Sequence, residues 1–141
     1  MINLLIEITV LTTTFSMFPY FFIVVFLTYK LRKKKEYMTT AIAGFAPKKI
    51  KVRMLFVMHA HMSWIAGSSI GYIWFSYLTL RYHRKIPRSE IIAWRIGIKK
   101  VLGCEYGLYW LSTLLGNIFF TGVFIFILIF ILNESLFSGL L

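Results

Sequence analysis

The chain has 141 residues, of which 59% are hydrophobic and 18% aromatic, whereas only 15% are charged. A soluble domain carries about 25% charged residues, so the polar side chains here are too few to cover a water-facing surface. The composition therefore nearly excludes a soluble globular enzyme, and it excludes an intrinsically disordered chain.

The charge of the chain is strongly one-sided. There are 16 Lys and Arg against 5 acidic residues, all of them Glu, which gives a formal net charge of +11. Such a balance often marks a nucleic-acid-binding protein. Here the cations flank long apolar runs instead of covering a folded face. We therefore expect anionic lipids such as cardiolipin, or acidic loops of other membrane subunits, as partners, and no nucleic acid.

Three apolar stretches are long enough to cross a bilayer, which requires roughly 20 residues in a helix. Residues 8–29, 54–80 and 106–133 contain no Glu, Lys or Arg. The sequence predicts an all-α membrane protein with three transmembrane helices in a single membrane domain over residues 1–141. At about 1.5 Å per residue the second and third stretches exceed the hydrocarbon core, so they should tilt or extend beyond it.

The first predicted span contains Pro19. Proline removes one backbone donor and its ring clashes with a carbonyl one turn earlier, so we expect a kink there. A secretory signal would begin with basic residues. This stretch instead ends in the basic run 30–35, which is typical of a stop-transfer signal, so we expect the span to be retained.

Two basic connections separate the predicted spans. Residues 30–53 carry nine Lys and Arg, and residues 81–105 carry seven. Because they flank the second predicted span, they should lie on opposite sides of the membrane, with a lean towards the first on the matrix or cytoplasmic side. The candidate lipid-headgroup or partner contacts are Lys30, Arg32, Lys33, Lys34, Lys35, Arg81, Arg84, Lys85 and Arg88. The alternative that these cations are solvated anchors stays open.

Each connection also carries local structural signals. Gly44 and Pro47 predict a loop at residues 43–49. In the second connection, Ser89 is a candidate N-cap for a short helix over residues 91–102. We expect this helix near the membrane surface, or packed against another subunit.

Two histidines, His59 and His61, lie in the second predicted span. An imidazole inside a span is a functional hypothesis by default. On a helix the two side chains point about 200° apart, so they cannot chelate one metal together. Either could be an axial ligand of haem b if a partner chain supplied the second ligand. Alternatively, both bond to headgroups or to a neighbouring helix.

His59 shares a helical stripe with small residues at intervals of four: Ser63, Gly67 and Gly71. This small-xxx-small pattern lets another helix backbone approach closely, so we expect helix packing there.

The size of the chain and a histidine in its second predicted span are similar to the small membrane anchors of succinate dehydrogenase. Those anchors typically carry a His-x-x-x-Gly stretch followed by Asp-Tyr. Here Ser63 stands where the glycine would follow His59, and the chain contains no Asp. The resemblance implies haem binding, but it covers only this short stretch, so no family is assigned from it.

The sequence carries no evident catalytic set, because a Ser-His-Asp triad needs Asp and no phosphate-binding glycine loop occurs. Glu7 and Glu105 flank the predicted spans, where we expect simple solvation. We therefore predict a structural, accessory subunit of an energy-transducing complex of the inner mitochondrial membrane, either a respiratory-chain complex or ATP synthase. It would stabilise assembly through helix packing and lipid contacts. The organelle is suggested by the Phe-, Ile-, Lys- and Tyr-rich composition.

Two rivals to this function remain. One is a haem-binding anchor of a quinone-linked respiratory complex that uses His59 or His61. The other is a stand-alone transporter or channel subunit. That role needs self-association around a polar pore, yet no predicted span shows a polar stripe.

Overall fold

The computed structural model of the chain describes residues 2–60, 64–69 and 74–138. It is 91% helical, and no strand occurs in those ranges, which confirms the all-α prediction. In chain order the helices are α1 (Ile2–Lys30), α2 (Lys35–Gly44), α3 (Lys51–Ala60), α4 (Trp64–Ser68), α5 (Trp74–Leu78), α6 (Arg88–Leu102) and α7 (Tyr106–Ser138). Short 3₁₀ turns cover Arg32–Lys34 and Gly103–Glu105, and a π turn covers Thr79–His83.

The long helices α1 and α7 form an antiparallel pair. The ring of Tyr20 stacks on that of Phe119 with centroids 6.3 Å apart. Further along α1, Lys30 pairs with Glu105, which precedes α7. As residue numbers increase along α1, the residues that they contact on α7 have decreasing numbers.

Two helical runs, Ile6–Lys30 and Arg88–Ile131, are long and apolar enough to cross a membrane. Only 22% and 11% of their most apolar windows are buried inside the chain, whereas the core helix of a soluble protein would be mostly buried. Among the described residues these are the only two such runs, so the predicted count of three spans is not confirmed.

Of the middle predicted span, residues 54–80, the structure describes 54–60, 64–69 and 74–80. These residues lie in α3, in α4, in α5 and in the π turn that follows it. The described residues do not confirm this stretch as a span.

Pro19 lies inside α1, which continues through it without interruption. The kink predicted at this proline is therefore not confirmed. The freed carbonyl one turn earlier need not break a helix that neighbouring elements support.

The predicted helix over residues 91–102 is present as α6, but it begins earlier, at Arg88. Pro87 occupies the cap position and no side chain caps the helix, so the prediction of Ser89 as N-cap is wrong. Proline fits there because its missing N–H is one that a helix start leaves unbonded anyway.

Helix α6 buries one face against α2 of the same chain. Ile91, Trp94 and Ile98 are fully buried, and their spacing places them on one stripe of the helix. The indole Nε1 of Trp94 donates a hydrogen bond to the carbonyl of Ile42, in α2, at 3.1 Å. Helix α2 continues to Gly44, so the loop predicted at residues 43–49 begins only after that residue.

The hydrophobic core lies where these short helices meet the first turn of α7. Its fully buried members include Met58 of α3, Trp64 and Ile65 of α4, Ile86, and Tyr109 of α7. The fold is therefore a long helical hairpin with a compact cluster of short helices packed at one end.

Candidate functional site

The two basic connections lie together at one end of the α1–α7 pair. The Nζ of Lys30 is 2.9 Å from Oε1 of Glu105, so the end of α1 meets the start of α7. Helix α2 follows Lys30 in the chain, and α6 precedes Glu105. The hydrogen bond from Trp94 to Ile42 joins these two helices. The expectation that these connections lie on opposite sides is therefore corrected.

All sixteen Lys and Arg lie between residues 30 and 100, within the two connections that we call the basic end (residues 30–53 and 81–105). Among the predicted contacts, Arg32 lies 4.4 Å from the ring of Tyr29, and Arg81 donates to the carbonyl of Ile86 at 3.3 Å. Lys35 is half-buried. The others are exposed, namely Lys30, Arg32, Lys33, Lys34, Arg81, Arg84, Lys85 and Arg88. The structure thus groups these predicted cations on one end of the molecule.

Aromatic rings hold several cations of this end in place. The guanidinium of Arg95 lies 5.4 Å from the ring of Tyr77, and the ammonium of Lys99 lies 5.6 Å from the ring of Tyr106. Cations over ring faces are attracted by the ring quadrupole. Such contacts orient the long side chains at the level where α7 begins.

The ion pair between Lys30 and Glu105 carries the clearest electrostatic effect at this end. The hydrogen bond from the Lys30 ammonium lowers the pKa of the Glu105 carboxyl below its usual 4.5. The sulfur of the exposed Cys104 lies 3.6 Å from the same carboxylate. Glu105 is therefore an ion-pair partner, where the sequence led us to expect simple solvation.

Sequence reasoning missed Asn117, a buried amide in α7. Its Oδ1 accepts the backbone N–H of Trp74, the first residue of α5, at 3.1 Å. Its Nδ2 donates to the carbonyl of Thr113 at 2.8 Å. Asn117 thus links α7 to the backbone of α5, and an amide within an apolar run was the signal available in the sequence.

A second polar contact joins α4 to α7. The hydroxyls of Ser68, in α4, and Tyr109 lie 3.3 Å apart, and both residues are fully buried. Tyr109 and Asn117 therefore connect α7 to α4 and α5 through buried polar contacts.

Both long helices carry buried small polar residues that the sequence pattern did not reveal as a stripe. Thr9 and Ser16 are buried on α1, as are Ser112 and Thr113 on α7. Two of these hydroxyls bond within their own helix: Ser16 donates to the carbonyl of Thr13 at 3.0 Å, and Thr113 to that of Tyr109 at 2.9 Å. These side chains are therefore compatible with close helix packing.

The structure describes only some of the residues in the histidine and small-residue predictions. His59 lies near the end of α3 with an exposed side chain, and Gly67 is buried in α4. His61, Ser63 and Gly71 lie outside the described residues. In the part that is described, no group of three His, Cys, Asp or Glu is placed to hold a metal ion. Haem ligation by either histidine stays a prediction.

Comparison with protein-family models, with curated proteins and with solved structures finds no match to this chain.

Proposed function

We propose that the chain is a structural subunit of a larger membrane assembly, inserted through the α1–α7 hairpin and held at the membrane surface by its basic end. The observation that carries this proposal is the exposed apolar surface of the two long helices. On α1, Phe15 and Phe22 are 77% and 74% exposed. Exposed patches of this kind mark protein or membrane contacts.

The outward side of α7 has the same character. Phe124, Phe126 and Phe130 are all exposed, with Phe130 at 57%. Because α1 and α7 use their facing sides for each other, these rings remain for lipid or for other subunits. A chain with so little polar surface of its own fits a role in assembly.

The arrangement of charge supports one orientation. Cations gather on the cytoplasmic or matrix side of membrane proteins, and here they all belong to the basic end. We therefore infer that the basic end faces the cytoplasm or matrix. The opposite end of the hairpin would then face the other side.

The favoured assembly is an energy-transducing complex of the inner mitochondrial membrane, with bound cardiolipin. This part of the proposal rests on composition and on the concentration of cations beside an apolar hairpin. Anionic lipids of the matrix-side leaflet would complement that charge.

Native electrophoresis in mild detergent, combined with site-specific photo-crosslinking, tests the proposal. A photoreactive residue replaces Phe22, which is exposed, and in a matched control it replaces Leu27, which is fully buried in the same helix. We expect migration in a large complex and cross-links from position 22 to other subunits, with few from position 27. Migration as a small homo-oligomer with only self-contacts would overturn the proposal and favour a transporter or channel subunit.

The same preparation tests the haem-anchor alternative, which the exposed position of His59 leaves accessible to a partner's ligand. A Soret band that survives His83→Ala but is lost in His59→Ala or His61→Ala would favour that function. A spectrum without haem would leave the structural role as the better account.

A further inference from the structure

An open cleft of about 510 Å³ lies at the basic end, between α3 and the segment that returns from α5. Its volume is in the range of about 300–1,000 Å³ that is usual for small-molecule sites. The first turn of α3 supplies Arg53, and the end of the π turn supplies His83 and Arg84. Residues more than 25 positions apart therefore converge on one cleft.

The cleft combines cationic residues with apolar ones. Along α3, Arg53 is followed in the wall by Met54 and, one turn on, by Val57. On the returning segment, Leu80 lies one turn before Arg84. The hydroxyl residues Ser76 and Thr79 complete that side.

The charge of the cleft indicates the sign of its ligand. Its nine lining residues include two arginines and no Asp or Glu, so the formal charge is positive with His83 neutral. Arg guanidinium groups bind phosphate through paired N–H donors. An apolar wall beneath two arginines matches a molecule that combines a phosphate with a hydrocarbon chain.

We propose that this cleft is a specific binding site for a phospholipid with an anionic headgroup. Its phosphate lies against Arg53 and Arg84, and part of one acyl chain lies along Met54, Val57 and Leu80. This inference rests on the proposed membrane location and adds to it one defined site within an otherwise diffuse basic surface.

Binding to the full-length chain in nonionic detergent micelles tests the site. Labelled phosphatidylglycerol is titrated against the wild type, with phosphatidylcholine and inorganic phosphate as competitors in separate arms. We expect one saturable site per chain that phosphatidylcholine and millimolar phosphate do not empty. Equal competition by phosphatidylcholine would overturn selection for an anionic headgroup, and displacement by phosphate alone would show a simple anion site.

Paired charge variants separate the cleft from the rest of the basic end. Arg53→Gln with Arg84→Gln should weaken phosphatidylglycerol binding at least about tenfold. Lys48→Gln with Lys49→Gln removes the same charge from exposed residues outside the cleft, and should change binding less than twofold. Equal losses in both pairs would mean a non-specific basic surface.

A third variant tests the apolar wall without altering charge. Val57→Trp fills the space beside Met54 and should abolish saturable lipid binding while the elution volume and helical circular dichroism match the wild type. Unchanged binding would overturn the placement of the acyl chain. Resistance of the chain to alkaline carbonate extraction checks the membrane location separately, so loss of the site and loss of the membrane role give different results.

Discussion

Lys30 and Glu105 form an ion pair of 2.9 Å that joins the last residue of α1 to the residue just before α7. The contact connects the two apolar helices where they meet the basic end. Helix α2 begins shortly after Lys30, and α6 ends shortly before Glu105. The ion pair therefore lies where the hairpin meets these short helices.

The ion pair predicts a specific dependence of stability on pH. Because the pKa of Glu105 is lowered below 4.5 in the folded chain, its stabilisation is fully present above pH 4.5 and is lost as the pH falls through the folded pKa. We expect Glu105→Gln to lower the Tm in detergent at pH 7, by the equivalent of at most about 1 kcal/mol. The difference from wild type should shrink below pH 4.5. Glu36→Gln, at an exposed carboxyl, is the control, and an identical pH profile in both variants would contradict the prediction.

The two fully buried tryptophans should respond differently to removal of the indole N–H. Trp94 donates to Ile42, whereas Nε1 of Trp64 has no hydrogen-bond partner among the described residues. Both changes to Phe leave a similar cavity. Trp94→Phe should therefore cost about 1 kcal/mol more free energy of unfolding than Trp64→Phe, as measured by denaturation in detergent. Equal losses would show that the bond to α2 adds nothing.

Asn117 should slow amide hydrogen exchange at the start of α5. In Asn117→Leu the N–H of Trp74 loses its acceptor inside the protein, which should cost about 1–3 kcal/mol. We expect faster amide hydrogen exchange in residues 74–78, measured by mass spectrometry. Ile118→Val, on the neighbouring and more exposed position, serves as the control and should leave this exchange unchanged. Unaltered exchange in Asn117→Leu would refute the role of the amide.

Gly116 and Gly107 on α7 offer a matched test of how closely α1 approaches. A Cβ at Gly116 would lie 2.8 Å from the ring of Tyr20, whereas one at Gly107 would meet nothing within 4 Å. Because Tyr20 is buried, Gly116→Ala should destabilise the hairpin by about 1–3 kcal/mol. Gly107→Ala should be neutral or stabilising by up to about 1 kcal/mol, since alanine favours helix. Thermal unfolding in detergent compares them, and similar effects would mean looser packing.

Cys104 reports the orientation of the basic end, since it is exposed and is the single cysteine of the chain. A membrane-impermeant maleimide should label it only from the cytoplasmic or matrix side. In a Cys104→Ser background, Leu4→Cys near the other end of α1 should be labelled only from the opposite side. Labelling of both positions from one side would exclude a hairpin that crosses the membrane.

Local patterns were reliable for the long and the strongly patterned helices. The runs that became α1 and α7 are apolar throughout, and a short helix was predicted over residues 91–102, but the buried stripe of Ile91, Trp94 and Ile98 on α6 was not predicted. The start of α6 was misplaced at Ser89 because proline is equally acceptable at a helix start. The contact of α6 with α2 was not predictable, because it depends on residues such as Ile42 that are distant in the sequence.

The sequence by itself determined that this chain is helical, that long apolar runs lie towards both of its ends, and that every Lys and Arg lies between residues 30 and 100. Those properties depend on residue types counted along the chain. Only the tertiary structure decided that both basic connections lie at one end and that α7 meets α4 and α5 through buried polar side chains. Such contacts depend on packing between distant residues, as in the hydrogen bond from the Trp74 N–H to Asn117, 43 residues away.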